Sequence, residues 1–379
     1  MNKLHILLLL SAACIILSGA DGQQYNFRSY RSRIVTDTVP GAVSAGGIVI
    51  NQKGEWLTTF GDRGDVGPGC TVHFIKSTDQ GETWSTPYKK LVPEKDTIGL
   101  AFNMYNLPDG SILGIKTVFE YFDNRQISAV QCRVNSYAEV MISKDGGETF
   151  TMIQRLKSPA QSMVSLMNSL TVLKNGDLLL PCYILPIDVI HPGEVYGSGF
   201  YRSKDGGKTW GGFELAFKEQ HGQKRIGYNE SAFVQKADGT IVGFARVDTT
   251  ITNNMWKVVS KDDGKTWSMP VEIPIPGHWP EITQLKNGVY LMVCGYFIRG
   301  EKRKTVFYLS SDGENFTKVG TFKYNRPIDS PQNGFGGGTH SLIPVGDNSA
   351  YILTFGWDFD LFAGGWYLDG CMIDAKLNK

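Results

Sequence analysis

The chain has 379 residues, and its 38 basic and 37 acidic side chains show no run of like charge. This balance speaks against nucleic acid or an anionic membrane surface as a partner. The 44 glycines and the 12% of aromatic residues favour many strands and turns over helices.

The chain begins with the pattern of a secretory signal peptide over residues 1–20. Lys3 is a basic start, residues 7–17 are largely apolar, and Ser18-Gly19-Ala20 offers small residues for cleavage. The apolar stretch is too short for a comfortable membrane span. We therefore expect residues 21–379 to fold as a single domain, with no membrane insertion after the signal is removed.

A lipid anchor is the alternative for this first segment. Cys14 is the residue that would carry the lipid, but Ser11 stands where a lipoprotein signal has a large aliphatic side chain. In both cases the protein works outside the cytoplasm, and we expect it to be secreted or periplasmic.

The remaining cysteines match neither zinc-site spacing nor a dense disulfide framework. They are Cys70, Cys132, Cys182, Cys294 and Cys371. We expect no metal and no cofactor, and most of these thiols should be small buried side chains. One disulfide bond, between Cys70 and Cys132, is compatible with their predicted positions.

A short turn motif recurs five times, every 50 to 66 residues. The copies are Ser77-Thr-Asp79-Gln-Gly81-Glu-Thr83-Trp84, Ser143-Lys-Asp145-Gly-Gly147-Glu-Thr149-Phe150, Ser203-Lys-Asp205-Gly-Gly207-Lys-Thr209-Trp210, Ser260-Lys-Asp262-Asp-Gly264-Lys-Thr266-Trp267 and the shorter Ser310-Ser-Asp312-Gly313-Glu-Asn-Phe316. The aspartate can accept hydrogen bonds from its own turn, the glycine supplies a positive φ, and the aromatic residue packs onto the outer strands. Repeats at this spacing predict one supersecondary unit per copy.

A second repeat, two apolar runs joined by a glycine turn, lies between these copies. It occurs six times, with turns at Lys53-Gly54, Asp109-Gly110, Asn175-Gly176, Asp238-Gly239, Asn287-Gly288 and Gly346-Asp347-Asn348. Asn-Gly and Asp-Gly are strong hairpin signals. Each unit thus contains an A-B hairpin and a C-D hairpin. The sequence predicts an all-β, six-bladed β-propeller of four-stranded antiparallel blades.

The sixth unit is incomplete, because only residues 366–373 remain for a strand after its first hairpin. The missing strand is expected from residues 33–36. The N-terminal and C-terminal strands would then pair and close the ring, which leaves no open sheet edge.

Strand direction separates the two faces of the predicted disc. In an antiparallel blade the A-B and C-D turns share one face, here called the back. The B-C loops and the starts of the A strands share the other, here called the front. Two front loops, about residues 120–136 and 185–197, are much longer than the back turns. Long loops on a rigid scaffold usually carry function, so the site is expected on the front.

Carboxylates, arginines, histidines and aromatic residues gather on this predicted front face. The candidates for catalysis are Glu230, Asp65, Asp62 and His340. The candidates for substrate binding are Arg246, Arg299, Arg63, Asn229, Tyr228, His278, Trp279, Glu281, Trp357 and Asp358. Guanidinium groups bind carboxylates and aromatic rings stack on sugars. This mixture predicts a glycan or oligosaccharide partner that carries an acidic sugar. Glycoside hydrolysis needs two carboxyl groups from the enzyme, and the candidates for catalysis include such side chains.

The motif and the blade order resemble the Asp-box (BNR repeat) sialidase superfamily, six-bladed propellers that cleave terminal sialic acids from glycans. Blade four carries the resemblance best, because Asn229-Glu230, a hairpin and Arg246 follow the family pattern. The resemblance implies that Glu230 activates a neighbouring hydroxyl and that Arg246 is one finger of an arginine clamp. The simpler alternative is that Arg246 is only the salt-bridge partner of Glu230.

The resemblance also implies a second clamp finger at Arg299, or at Arg303, and a general acid at Asp65 or Asp62. Two positions depart from the family. Val43-Ser44-Ala45-Gly46 stands where the family has Phe-Arg-Ile-Pro, and Thr339-His340-Ser341-Leu342 stands where it has a tyrosine nucleophile. Arg63 is a substitute for the missing arginine, and Tyr367 or Tyr196 for the tyrosine.

Several functions stay open at this point. The first is an exported, sialidase-like glycoside hydrolase acting on the terminal residues of a sialyl or uronyl glycan. The second is a glycan-binding propeller that has lost its nucleophile. A third uses His340 and His278 as an acid-base pair on an acidic sugar. A protein-interaction propeller is the last, and it would need a broad apolar patch on the front.

Overall fold

The computed structural model describes residues 15–18, 24–36, 39, 41–42, 45–121, 134–158, 162–166, 169–186, 197–218, 226–248, 253–296, 298, 304–324, 333–335, 340–358 and 366–378. These residues form strands and a single 3-10 turn at Gly64–Val66, with no α-helix among them. The strands make six antiparallel sheets, which correspond to the six predicted blades.

The first half of the chain supplies three N-terminal strands and three blades. The N-terminal strands are β1 (Ile15–Ser18), β2 (Gln24–Ser29) and β3 (Arg33–Thr36). Blade one contains β4 (Val49–Ile50), β5 (Trp56–Gly61), β6 (Val72–Ser77) and β7 (Lys89–Leu91). Blade two contains β8 (Ile98–Asn106), β9 (Ile112–Tyr121), β10 (Val134–Ser143) and β11 (Thr151–Leu156). Blade three contains β12 (Ser162–Leu166), β13 (Thr171–Val172), β14 (Leu178–Pro186), β15 (Gly197–Ser203) and β16 (Phe213–Phe217).

The second half supplies the other three blades. Blade four contains β17 (Gly227–Gln235), β18 (Ile241–Asp248), β19 (Asn254–Ser260) and β20 (Val271–Pro276). Blade five contains β21 (His278–Gln284), β22 (Tyr290–Tyr296), β23 (Lys304–Ser310) and β24 (Thr317–Thr321). Blade six contains β25 (Asn333–Phe335), β26 (Ser341–Pro344), β27 (Ser349–Asp358) and β28 (Trp366–Leu377). The predicted all-β, six-bladed fold is therefore confirmed.

The ring closes through the two ends of the chain, as predicted. Strand β28 pairs with β27 on one side and with β3 and β2 on the other. Thr36 lies opposite Leu368, and Phe27 lies opposite Ala375. The outer strand of blade six is thus N-terminal, and it is longer than expected because β2 extends the pairing begun by β3. Strand β1 adds to β2 at the outside.

The hydrophobic core is divided among the blade interfaces, where six clusters of buried residues lie between neighbouring sheets. Phe27 packs against Phe307 between blades five and six, with ring centroids 5.5 Å apart. Trp56 packs against Tyr351 between blades one and six at 5.2 Å. Because each blade is covered on both faces, inner strands such as β22 read as continuous apolar runs.

The Asp motifs form the predicted turns. In the first copy the Thr83 amide donates to Asp79 Oδ1 at 2.9 Å, and the Ser77 hydroxyl donates to the same atom at 2.8 Å. Gly81 has a φ of +85°, which a glycine adopts without steric cost. The turn is therefore held by its own side chains.

The A-B and C-D turns share one face, as strand direction requires. A cleft of about 560 Å³ between blades two and three is lined by Asp109 and Ser111 of an A-B turn together with Asp145 and Lys208 of two C-D turns. The Asp motifs thus lie on the back.

Four of the cysteines, Cys70, Cys182, Cys294 and Cys371, are free and buried thiols. Burial raises the pKa of Cys294 to about 12 and that of Cys70 to about 11. Cys132, the other half of the compatible disulfide bond, lies outside the described residues. Within the described ranges no helix is long and apolar enough to cross a membrane.

Candidate functional site

Glu230 sits on a β-bulge at the front end of blade four. Asn229 lies opposite Arg246 in the pairing of β17 with β18, whereas Ser231 lies opposite Ala245, so Glu230 is the extra residue. Its φ is +45°, a conformation uncommon for residues other than glycine. A bulge re-aims a side chain, and bulges recur next to active sites.

Both oxygens of the Glu230 carboxylate accept hydrogen bonds. The Arg246 Nη1 donates to Oε1 at 2.7 Å, and the Trp279 backbone amide donates to Oε2 at 2.9 Å. The His278 Nδ1 lies 4.0 Å from Oε2. The Glu230 side chain is only 9% exposed, while that of Arg246 is 39% exposed. The structure therefore brings three predicted site residues, Arg246, His278 and Trp279, together around the buried Glu230 carboxylate.

Blade five contributes through a second bulge of the same kind. In the pairing of β21 with β22, His278 lies opposite Gly295 and Glu281 lies opposite Val293, so the register shifts between them. Trp279 lies within this shift and has a φ of +50°. This conformation turns the Trp279 amide toward Glu230 of the preceding blade.

Two residues that adjoin Glu230, one in sequence and one through its backbone amide, each bury a polar side-chain atom without a hydrogen-bond partner among the described residues. These atoms are Asn229 Oδ1 and Trp279 Nε1. Buried polar groups are nearly always satisfied, so such a pair calls for water or a ligand atom. Trp279 also lines a cavity of about 60 Å³ that it shares with residues of blades one and two. That lining includes Ala45, Gly46, Thr59, Val66, Asn103 and Thr117.

Ser44, which stands where the resemblance expects a clamp arginine, lies outside the described residues, whereas Gly46, two positions later, is closely packed. A Cβ on Gly46 would lie 2.1 Å from Thr59 Oγ1 and 2.6 Å from the Phe102 carbonyl oxygen. The Thr59 hydroxyl donates to that same carbonyl. A side chain at position 46 therefore has no room.

Asp62 is bound within blade one and not at Glu230. Its Oδ2 lies 3.0 Å from His73 Nε2, and its Oδ1 accepts the Thr71 amide at 2.9 Å. Burial alone raises the pKa of Asp62, but the hydrogen bonds from His73 and Thr71 outweigh it and leave the pKa below its ordinary value. Asp65 lies on the 3-10 turn Gly64–Val66 of the same loop.

Arg63 is exposed, and its guanidinium lies over Gly69, within 3.3 Å of where a Cβ would be. Arg63 therefore lies across its own loop.

His340 of blade six contacts a hydroxyl of its own blade. His340 is fully buried, and its Nδ1 lies 3.1 Å from the Thr354 hydroxyl. Thr354 joins a hydroxyl cluster with Thr305 and Tyr324. Tyr367, a substitute for the nucleophile, is also buried, and its ring fills the space beside Gly356. The described tyrosines thus leave no hydroxyl bonded to Glu230.

The other predicted residues are dispersed. Tyr228 is buried and packs between Phe217 and Trp256, so its ring belongs to the core. Glu281 is buried on β21, where its charge contributes to raising the pKa of the fully buried Tyr105, after burial itself.

Trp357 and Asp358 end strand β27, opposite β28 and β25. Arg299, Arg303 and Tyr196 lie outside the described residues. In the part of the chain that the structure describes, no cluster of His, Cys, Asp or Glu suits a metal ion.

The sequence profile of the BNR repeat-like domain family matches residues 122–334. A search of curated proteins finds no match for this chain. Among solved structures, a protein of unknown function from Dyadobacter fermentans superimposes with a TM-score of 0.70 at 16% identity, covering 92% of this chain and 99% of that one.

Two solved enzymes are also similar in fold. A Hadza microbial sialidase gives a TM-score of 0.64 at 14% identity, covering 89% of this chain and 66% of the sialidase. The GH93 α-L-arabinofuranosidase of Fusarium graminearum, in complex with arabinobiose, gives 0.62 at 15% identity, covering 91% and 98%. At such identities the likeness establishes the propeller fold.

Proposed function

Because this chain belongs to the BNR repeat-like domain family, we propose that it is a glycoside hydrolase that releases a terminal sugar from a glycan. The observation that carries the proposal is the buried Glu230 carboxylate, held by the Arg246 guanidinium and the Trp279 amide. Pre-organised charge of this kind is what a reaction at an anomeric carbon needs.

Glu230 is assigned the role of the carboxylate that acts on the anomeric carbon or on a water molecule. Both of its oxygens are hydrogen-bond acceptors, which suits a nucleophile or base and not a proton donor. In this proposal Glu230 acts directly and not through a tyrosine; among the described residues no tyrosine hydroxyl bonds to it, and Tyr196 lies outside them. This differs from the role that the sialidase resemblance implies.

Asp65 is assigned the role of the general acid that protonates the leaving oxygen. The next residue, Val66, lines the same cavity as Trp279, so the loop that carries Asp65 lies across that cavity from blade five. Asp62 is the poorer candidate, because its carboxylate is bound by His73 and its lowered pKa disfavours the protonated form.

The substrate is proposed to be a uronyl or neutral sugar in preference to a sialyl one. Arg246 is paired with Glu230 at 2.7 Å, so its charge is already balanced. An arginine clamp needs several guanidinium groups that converge on one carboxylate. The sialidase and the arabinofuranosidase among the similar structures support testing both sugar classes.

A second function, glycan binding without hydrolysis, is favoured by one observation. The ion pair of Arg246 with Glu230, at 2.7 Å, occupies the oxygen that a reaction would use. If this ion pair stays intact, the propeller would bind a glycan end through Asn229 and Trp279 alone.

We further propose that the protein is exported, on the strength of its N-terminal segment.

The test uses the purified protein and fluorogenic glycosides of sialic acid, glucuronic acid and L-arabinofuranose. We expect release from at least one of the last two, and a loss of about 10²- to 10⁴-fold in kcat for Glu230→Gln. Glu148→Gln, an exposed change on the back face, is the matched control and should keep full activity. Saturable glycan binding with no product would select the binding function, and full activity of Glu230→Gln would remove Glu230 from the mechanism.

A further inference from the structure

Side-chain contacts join the two ends of the blade-one loop, residues 62–70. Asp62 accepts the Thr71 amide through Oδ1 at 2.9 Å and contacts His73 through Oδ2 at 3.0 Å. The Asp62 amide donates in turn to the Thr71 carbonyl at 3.2 Å. One carboxylate therefore ties the start of the loop to the strand that follows it.

His73 is a fixed partner for this carboxylate. Only 3% of the residue is exposed, and its ring stacks on Phe60 with centroids 5.2 Å apart and planes inclined by 10°. Phe60 lines the same cavity as Trp279. Because this packing fixes the His73 ring, the ring also restricts the movement of Asp62 and of the loop.

Blade two holds the body of the same loop. The Gly69 amide donates to the Ile98 carbonyl at 2.9 Å, and the Tyr121 hydroxyl donates to the Val66 carbonyl at 2.9 Å. A Cβ on Gly99 would lie 2.1 Å from the Val66 carbonyl oxygen, so only glycine allows this approach. The loop is clamped from two blades, which is unusual for a long surface connection.

We propose that Asp62 and His73 are positioning residues, which hold the 3-10 turn that carries Asp65 at the front cavity. The proposal rests on the proposed function, in which Asp65 is the general acid. Neither Asp62 nor His73 contacts the substrate. Their effect is on the rate of the chemical step, because a displacement of about 1 Å at a reacting group costs about 10²-fold in rate.

The experiment compares Asp62→Ala with Asp62→Asn. The asparagine keeps an acceptor for the Thr71 amide, and its amide can donate to His73 Nε2 once the neutral ring carries its proton on Nδ1, whereas alanine removes both contacts. Two readouts are taken: kcat and KM on the best substrate, and hydrogen exchange of peptides that cover residues 62–71. We expect Asp62→Ala to lower kcat about tenfold or more with KM nearly unchanged and to speed exchange of the loop amides, and Asp62→Asn to restore most of both.

Asp205→Ala is the matched control, because Asp205 makes comparable turn contacts on the back face. It should keep kcat. Unchanged loop exchange in Asp62→Ala overturns the positioning role, and so does a loss of kcat while the loop stays protected, since Asp62 would then act directly. Hydrogen exchange does not depend on turnover, so the positioning role and the proposed function are tested separately. The proposed function fails if neither the wild type nor any variant releases sugar.

Discussion

The backbone amide of Trp279 donates to the Glu230 carboxylate at 2.9 Å, so the main chain of blade five holds the key side chain of blade four. Both residues have a positive φ, +45° for Glu230 and +50° for Trp279. Such conformations cost of the order of 1–3 kcal/mol each and persist only where the surroundings enforce them. Two adjacent bulges thus maintain one contact, and the contact marks the site.

Replacing Trp279 separates the backbone contribution from that of the ring. Trp279→Gly should keep the hydrogen bond to Glu230, because glycine adopts φ +50° readily, and it should be about 1 kcal/mol more stable than Trp279→Ala. Both variants lose the indole N–H beside the cavity, so both should raise KM. Urea denaturation and steady-state kinetics provide the two measurements. If alanine proves as stable as glycine at this position, the bulge is not strained.

Gly46 should tolerate no side chain. Gly46→Ala places a Cβ 2.1 Å from Thr59 Oγ1 and 2.6 Å from a main-chain oxygen, and the second clash cannot be relieved by a rotamer change. We expect a loss of about 1–3 kcal/mol in the free energy of unfolding, as is typical of overpacked cores. Gly212→Ala is the control, since a Cβ there meets nothing within 4 Å. Equal stabilities of the two variants would contradict the closed packing in blade one.

The fold followed from the sequence because its signals are local and repeated. Each Asp motif carries its own hydrogen-bond partners within a few residues, as Asp79 does with Thr83, so the motif reports its structure without help from the rest of the chain. Strand direction then separated the back turns from the front loops. The ring closure by residues 33–36 followed from the number of strands alone, and β2 was missed because nothing local marks its pairing with β28.

The site was predicted less completely, because its geometry depends on contacts between blades. The pairing of Glu230 with Arg246 was anticipated as an alternative. Neither bulge was, since Glu230 and Trp279 adopt positive φ without the glycine that usually signals it. His73 was missed as the partner of Asp62, and its place in the apolar strand β6 was the available sign. Tyr228 was assigned to the front by its position next to Asn229, but the alternation of side chains along β17 places its ring in the core.

The Asp motifs predict how stability depends on pH. Hydrogen bonds from the Thr209 side chain and amide hold the pKa of Asp205 at about 2, and those from Thr266 hold the pKa of Asp262 at about 2, against an ordinary value of 3.8. A lowered pKa in the folded state means that the unfolded chain binds the proton more strongly. The stabilisation is therefore fully present above about pH 4 and is lost as the pH falls towards about 2.

Urea midpoints measured between about pH 5 and about pH 2 should fall for the wild type, and the fall should be smaller for Asp205→Asn, which has no carboxylate to titrate in that turn. Asp96→Asn, at an exposed position outside the motifs, should leave the slope unchanged. Because the motif lies on the back, Asp205→Asn should also keep the activity measured at neutral pH. A slope in Asp205→Asn equal to that of the wild type would show that the Thr209 contacts do not contribute to acid stability.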